Sequence, residues 1–375
     1  MPAAVAAPLP PAALHASALV VDAHCDVAQV MLDERRDIGR RLRSTHFDLP
    51  RAAQGGLAAQ FFALWVEPDA YHGEGAWART LALLGAVERA AAAHPGRLAP
   101  ATSAAEVRAH HAAGRVAAIL ALEGAHGLGT DDPALVLRRV GELAARGLRC
   151  FGLTWNNSNA LAGAATAADG VGLTALGRRV VRDLERRGIL VDVSHASDAA
   201  VRDLLAVARR PILASHSNAR ALCGVSRNLP DDLIRAIAAG GGVVCANYFP
   251  GFLDAPTFER LNRLKAAAAA DPAPRAAGPR GHAAARRRAC AATRALPEVP
   301  LARLVQHLRH LAAVAGPAHV GLGSDFDGMW MTPAGLPDVA ALPRLTAALR
   351  PHFSDDEVRG ILGGNLLRLL AIPRG

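Results

Sequence analysis

Eight apolar runs of strand length punctuate the 375-residue chain: "ALVVDA" (18–23), "LAAQFFALWV" (57–66), "RVAAILAL" (115–122), "RCFGLTW" (149–155), "ILVDVS" (189–194), "PILAS" (211–215), "GVVCAN" (242–247) and "HVGLGS" (319–324). Each gives way to polar or glycine residues. Between them lie stretches with helical periodicity, such as "LTALGRRVVRDLERRG" and "SAAEVRAHHAAG", the latter opened by Ser103 and Glu106 at capping-box spacing. Near-continuous apolar strands separated by amphipathic helices predict a parallel sheet covered by helices. Eight such units predict a closed (β/α)8 barrel of TIM type rather than an open doubly wound sheet. The chain has no internal repeat and no G-x-G-x-x-G after the first run, which disfavours a dinucleotide fold. One barrel domain over residues 1–375 is expected. Residues 1–16 are expected to be a flexible extension, and the Ala/Arg/Pro-rich segment 254–300 a partly helical, partly disordered insertion between strands seven and eight, over the barrel mouth or an oligomer surface.

In such barrels chemistry sits at the carboxyl ends of the strands. The first run ends in "VVDAHCDV", and strand alternation would point Asp22, His24 and Asp26 the same way, a start for a chelate. Alone this triplet says little, because polar residues collect where strands turn. Further along, Glu123 follows the third run, His195 the fifth, His216 the sixth and Asp325 the eighth. A single histidine at a strand end is more often a hydrogen-bonded core or surface group than a ligand. His24, Asp26, Glu123, His195, His216 and Asp325 on one rim are a different matter. Three histidines and two carboxylates suit two borderline divalent ions such as zinc, with Glu123 able to bridge them through its two oxygens. Asp325 is left as proton carrier.

Composition narrows the setting. An apolar fraction of 51% and a charged fraction of 20% describe a globular protein, and no apolar stretch is long enough to span a bilayer. The first twenty residues lack a basic n-region and carry early prolines, so a secretory signal is not expected and a cytoplasmic location is. The net charge of +9 does not indicate a nucleic-acid partner, because only one of the 42 cations is a lysine, Lys265, and the arginines are spread throughout. Five scattered cysteines without a C-x-x-C pair indicate neither a disulfide framework nor a structural zinc knot, and suit a reducing compartment. His282 and Cys290, within the insertion, have no neighbours in sequence to complete a coordination set.

These residues fall within motifs that resemble the membrane (renal) dipeptidase family, peptidase family M19. The resemblance is carried by "DAHCD", "GGLAAQFFALWV", "LEGAHGLG", "GLTALGRRVVRDLERRGILVDVSHASDAAVRDLL", "PILASHSNARALCGVSRNLPDDLIRAIAAGGGVV", "HVGLGSDFDG" and the terminal "GGNLLRLL". It runs from about Ala18 onward and is interrupted chiefly at 254–300. It implies an amidohydrolase-type barrel with two zinc ions that hydrolyses dipeptides, often with a D-residue at the C-terminal position. By motif, His24 and Asp26 match the family's H-x-D ligands, Glu123 its bridging carboxylate, and His195 and His216 the ligands of the second metal. Arg227, in "SRNLPDD", matches the arginine that binds the substrate carboxylate, a task suited to a planar guanidinium. Asp325 matches the acid/base, while Asp327 is expected to orient the loop. A homodimer is suggested by the family alone.

The implied mechanism has a hydroxide shared by two metals attack the peptide carbonyl while Asp325 carries the proton to the leaving amine. One feature departs from the family. Strand four in the dipeptidases ends in a Thr-His pair whose histidine helps hold the oxyanion, whereas this chain has Thr154 followed by Trp155 in "LTWNNSNALAG". Trp155 offers an indole N–H, and Asn156 or Asn157 an amide, for contact with the substrate. The expected function is therefore a metal-dependent dipeptidase. A barrel metallohydrolase acting on another amide, such as an N-acyl amino acid or a β-lactam, is the alternative, with a catalytically silent binding protein behind both.

Overall fold

The computed structural model describes residues 8–167, 170–270 and 279–373. Among the described residues nine strands are present: β1 Val20–Cys25, β2 Leu57–Trp65, β3 Leu98–Pro100, β4 Val116–Glu123, β5 Leu148–Gly152, β6 Leu190–Asp192, β7 Leu213–Ala214, β8 Val243–Asn247 and β9 Val320–Gly323. Their order is β2-β1-β9-β8-β7-β6-β5-β4, and a further pairing of β2 with β4, in register from Ala59↔Ala117 to Trp65↔Glu123, closes the ring. Every pairing is parallel. The ring has the eight predicted strands. The ninth, β3, lies against the start of β4 through Leu98↔Val116. Three residues ending in proline are too few to leave a periodic signal.

Alternation decides what reaches the mouth. Phe61, Ile119, Leu190, Leu213 and Cys245 belong to one buried apolar cluster. At the pleat's period of two, the same faces carry Trp65, Glu123, Asp192, Ser215 and Asn247 at the strand ends. Phe62, Leu120, Val191, Ala214 and Val244, one residue out of phase, join the cluster between sheet and helices. The helices begin where their caps stand: Ser103 accepts from Glu106 N (3.2 Å) and Thr174 from Gly177 N (3.0 Å).

One expectation about the periphery changes. Residues 11–17 are not a flexible extension but a helix, Pro11–Ser17, with proline in its first turn and Leu14 and His15 buried. His15 Nε2 donates to Gly55 O (2.9 Å), leaving Nδ1 to accept from Thr346 Oγ1 (2.7 Å), so the segment is held at both ends of one ring. Residues 1–7 lie outside the described residues. In the insertion, helices Ala255–Ala270 and Pro279–Thr293 are formed, while 271–278 lie outside the described residues. The second packs on helix Val27–Asp33, and Thr293 Oγ1 donates to Trp330 O (3.1 Å). From the first, Lys265 Nζ stands 4.8 Å from the Trp330 ring centroid and Phe258 meets Phe252 at 6.5 Å. The insertion thus rests on residues that flank the mouth. Among the described residues no helix is long and apolar enough to cross a membrane.

Candidate metal centre

The five sequence-derived ligands come together. His24 lies near the end of β1 and Asp26 directly after it, Glu123 closes β4, and His195 and His216 follow β6 and β7. Glu123 is central. Its Oε2 stands 3.4 Å from His24 Nε2, and its Oε1 stands 3.0 Å from His195 Nε2 and 3.8 Å from His216 Nε2. His24 Nε2 is also 3.3 Å from Asp26 Oδ2, whose other oxygen accepts from Gln29 Nε2. Ligand atoms of His24, Glu123 and His216 lie within 4.8 Å of one another, as do those of His24, Asp26 and Asp325. Asp22 is not part of the chelate. Its carboxylate accepts from Ser324 N (2.7 Å) and Oγ (2.5 Å) and ties β1 to the end of β9.

The hydrogen bonds of the two later histidines set their tautomers. His195 Nδ1 donates to Asn156 Oδ1 (2.8 Å). Ser215 Oγ gives its hydrogen to Asp192 Oδ2 (2.5 Å) and so accepts from His216 Nδ1 (2.7 Å). Both Nε2 atoms are then left with lone pairs, and they face each other at 2.9 Å. Two lone pairs at that distance repel unless a cation lies between or beside them. Burial, with the charges of Arg227 and His24, holds both imidazoles well below their ordinary range, so they are neutral and able to ligate. His24 Nε2 is buried without a hydrogen bond. Burial alone would lower His24, but the carboxylates of Glu123 and Asp26 outweigh it and lift it well above 6.5. Neutral imidazoles, carboxylates and an unbonded buried nitrogen converging here fit divalent cations.

Asp325 sits beside this cluster, with Asn247 Nδ2 donating to its Oδ2 (3.0 Å). Burial pushes its carboxyl up to about 7, in the range a proton carrier needs. Three non-glycine residues at the mouth adopt left-handed backbone: His195 (φ 71°), Asp325 (φ 63°) and Asp327 (φ 66°). Such conformations persist only where surroundings enforce them. On the loop of Asp325, Asp327 supplies that enforcement, accepting from His46 N (2.8 Å) and Phe47 N (3.2 Å) while its own N–H donates to His46 Nδ1 (2.9 Å). A Cβ on Gly328 would collide with both Asp26 Oδ2 and Asp325 Oδ1, so glycine lets the two carboxylates approach.

Arg227 is buried at the same mouth, its Nη2 3.3 Å from His216 O and its Cζ 5.3 Å from the Phe252 ring centroid. Its Nε has no hydrogen-bond partner, and burial brings its pKa down to about 10, so it remains charged. Trp155 lies 6.1 Å from His195 and 5.0 Å from Trp65, ring centroid to ring centroid. Asn156 is exposed, and its carbonyl accepts from His195, so it positions that histidine; this bond does not use the amide N–H groups expected to serve the substrate. Cys290 belongs to no metal-competent cluster among the described residues, and the side chain of His282 lies outside them. Sequence reasoning passed over Trp65, Asp192, Ser215 and Asn247, although the alternation that exposed Glu123 applies equally to them.

Fold and site together define a barrel metallohydrolase. The family model of membrane dipeptidase, peptidase family M19, matches residues 11–372. The chain belongs to that family of dipeptide-hydrolysing metalloenzymes. It is 34% identical over 333 residues to dipeptidase aclJ of Aspergillus oryzae, covering 86% of this chain and 69% of that protein. Among solved structures it resembles the probable dipeptidase PvdM from Pseudomonas aeruginosa (TM-score 0.82, 25% identity, 96% of this chain and 97% of that one). It also resembles a metallopeptidase from Rhodobacter sphaeroides liganded with a phosphinate mimic of L-Ala-D-Ala (TM-score 0.77, 29% identity, 95% of this chain and 99% of that one).

Proposed function

We propose that this protein hydrolyses dipeptides, including those with a D-residue at the C-terminal position, with two divalent ions, zinc by preference. The observation that carries the reading is the pair of Nε2 lone pairs of His195 and His216 facing each other beside Glu123. His24, Asp26 and Glu123 would hold one ion, and Glu123, His195 and His216 the other. When bound, such ions supply Lewis acidity that activates water and polarises a carbonyl. The chain's own residues do the rest. Arg227, charged and with an unsatisfied Nε, binds the substrate carboxylate and fixes the scissile amide over the centre. Asp325 accepts a proton from water at a carboxylate oxygen and returns it to the departing amine. Asn247 holds the carboxylate in place, and Asp327 the loop that carries it. Trp155 provides a flat wall and a neutral donor near His195. The buried thiols of Cys25, Cys150, Cys223 and Cys245, none in a disulfide, support a cytoplasmic setting.

The test is metal analysis alongside hydrolysis of a panel containing L-L and L-D dipeptides, N-acyl amino acids and a β-lactam. Two ions per chain are expected, with dipeptides preferred and hydrolysis abolished by chelation while the circular dichroism spectrum persists. An active, fully loaded enzyme with at most one ion would overturn the binuclear assignment. Preference for the acylated compounds would overturn the dipeptide assignment.

A further inference from the structure

We propose that a cavity beside the metal centre is a subsite for the acyl side of the substrate, shaped for a polar, peptide-like group larger than a single residue. This rests on the dipeptidase reading and extends it to the release of one C-terminal residue from longer peptides. The cavity has a volume of about 650 Å³ and is an open cleft lined from segments 68–73, 125–136 and 157–161. These segments leave the ends of β2, β4 and β5, the strands that also deliver Trp65, Glu123 and Trp155 to the mouth. It therefore flanks the catalytic centre.

Ring order says which flank. The closed ring runs β1, β2, β4, β5, β6, β7, β8, β9, so β7 stands four places from β2 in either direction. Arg227 follows β7. A substrate whose carboxylate is held by Arg227 and whose scissile carbonyl lies by Glu123 and His195 must send its N-terminal part across the mouth, toward β2, β4 and β5. The path leads toward the Trp155 ring, 6.1 Å from His195 and 5.0 Å from the Trp65 ring, and each tryptophan stands two or three residues before a cavity-lining segment.

Volume and lining then define the occupant. Pockets of ~300–1,000 Å³ serve drug-sized ligands, so this cavity exceeds what one side chain needs. Among its lining residues are Tyr71, Thr130, Asp131, Asn157, Ser158 and His126, with no lysine or arginine. His126 Nε2 donates to Val66 O (2.7 Å), which leaves Nδ1, buried and without a hydrogen bond, as an acceptor. Asp131, exposed at the rim, adds a negative charge. Acceptors with a carboxylate and no fixed cation favour amide N–H groups and a free amine over an anionic acyl group. Hydrolysis would break only the last amide. The acyl carbon takes the hydroxyl of water, and the leaving amine takes the hydrogen.

The metal-loaded full-length enzyme is assayed for kcat/KM on L-Ala-D-Ala, on the tripeptide L-Gln-L-Ala-D-Ala, and on the N-succinyl form of that tripeptide. The tripeptide is expected to exceed the dipeptide about tenfold, chiefly through KM, and to exceed its succinylated form. Ala160→Phe, which places a ring in the cavity, should lower the tripeptide-to-dipeptide ratio about tenfold. Asp131→Arg, at an exposed position that tolerates any side chain, should reverse the preference between free and succinylated tripeptide. Cleavage of the dipeptide but not the tripeptide would overturn the subsite and leave the dipeptidase reading intact. The same holds if neither ratio moves in the variants. Failure to cleave any of the three would overturn both.

Discussion

On the β6–β7 side of the mouth, His195 and His216 each have the distal nitrogen fixed, one by Asn156 and the other by the Ser215–Asp192 pair, and both rings are held neutral. On the β1–β9 side, His24 Nε2 has no hydrogen bond and faces Asp26 and Glu123, with Asp325 close by. The first side is organised by hydrogen bonds, the second by charge. A hydrogen-bonded imidazole offers its lone pair whatever the ionic state of its neighbours. A histidine among carboxylates takes up a proton when no ion is present. The two halves should therefore respond differently to mutation and to pH, although both contain histidine and share Glu123.

The largest contrast lies in chemistry. Asp325→Asn keeps the size and the contact with Asn247 but cannot carry a proton, so kcat should fall about 10²- to 10⁴-fold with metal content unchanged. Near-normal turnover would remove Asp325 from the mechanism and leave the β1–β9 side as a ligand set only. Next comes support for the ligands. Ser215→Ala removes the acceptor of His216 Nδ1 and the donor to Asp192 Oδ2, and should weaken the ion of the β6–β7 side about 10- to 100-fold. Asn156→Ala should act on the same ion at the low end of that range, because the amide is exposed. Calorimetric titration of the metal-free protein resolves the two steps. Equal weakening of both would show that the sides are not independent.

The difference between the sides also explains what the sequence could and could not disclose. His24, Glu123, His195 and His216 stood out together, because side chains of this kind at the ends of four separate runs fall on one rim. Asp192, Ser215 and Asn247 occupy equivalent positions, yet they were absorbed into the runs "ILVDVS", "PILAS" and "GVVCAN". Their partners become visible only when neighbouring strands are in register. Asn156 was assigned to the substrate because an amide next to Trp155 can donate. That its carbonyl reaches His195, 39 residues away, depends on how two loops meet. The helix Pro11–Ser17 was missed among the early prolines Pro2, Pro8, Pro10 and Pro11. Pro11 falls in the first turn, where its missing N–H costs nothing, and the order comes from burial of His15 against Thr346. Local pattern gave the ring and its rim. Pairings distant in sequence set the supports.

A third way to sharpen the contrast uses pH. In the metal-free protein Glu123 and Asp26 lift His24 well above 6.5, so near neutrality an ion must displace a proton there. Affinity at that side should rise with pH by up to about tenfold per unit, with proton release, until His24 is neutral. His195 and His216 are held well below 6.5, so affinity at the other side should be nearly flat above about pH 6.5. Zinc titrations in buffers of differing ionisation enthalpy count the protons. Proton release on both steps would contradict the distinction.

The smallest effect concerns stability on the β6–β7 side. Ala219, three residues past His216, donates its N–H to His307 Nδ1 (3.3 Å), and His307 Nε2 donates to Leu253 O (3.2 Å). The ring must be neutral to accept from Ala219, and burial brings its pKa down to about 4 from the ordinary 6.5. A folded-state value below the unfolded one means that the unfolded chain binds the extra proton first. The stabilisation is therefore fully present above about pH 6.5 and is lost as the pH falls toward 4. Between pH 7 and 5 this one group should cost about 2 kcal/mol of folding free energy. Urea unfolding of the metal-free protein at the two pH values measures the loss, and His307→Gln, which offers both a carbonyl acceptor and an N–H donor but does not titrate, should reduce it by that amount. An unchanged pH dependence in the variant would show that His307 does not govern how the loop beyond His216 responds to acid.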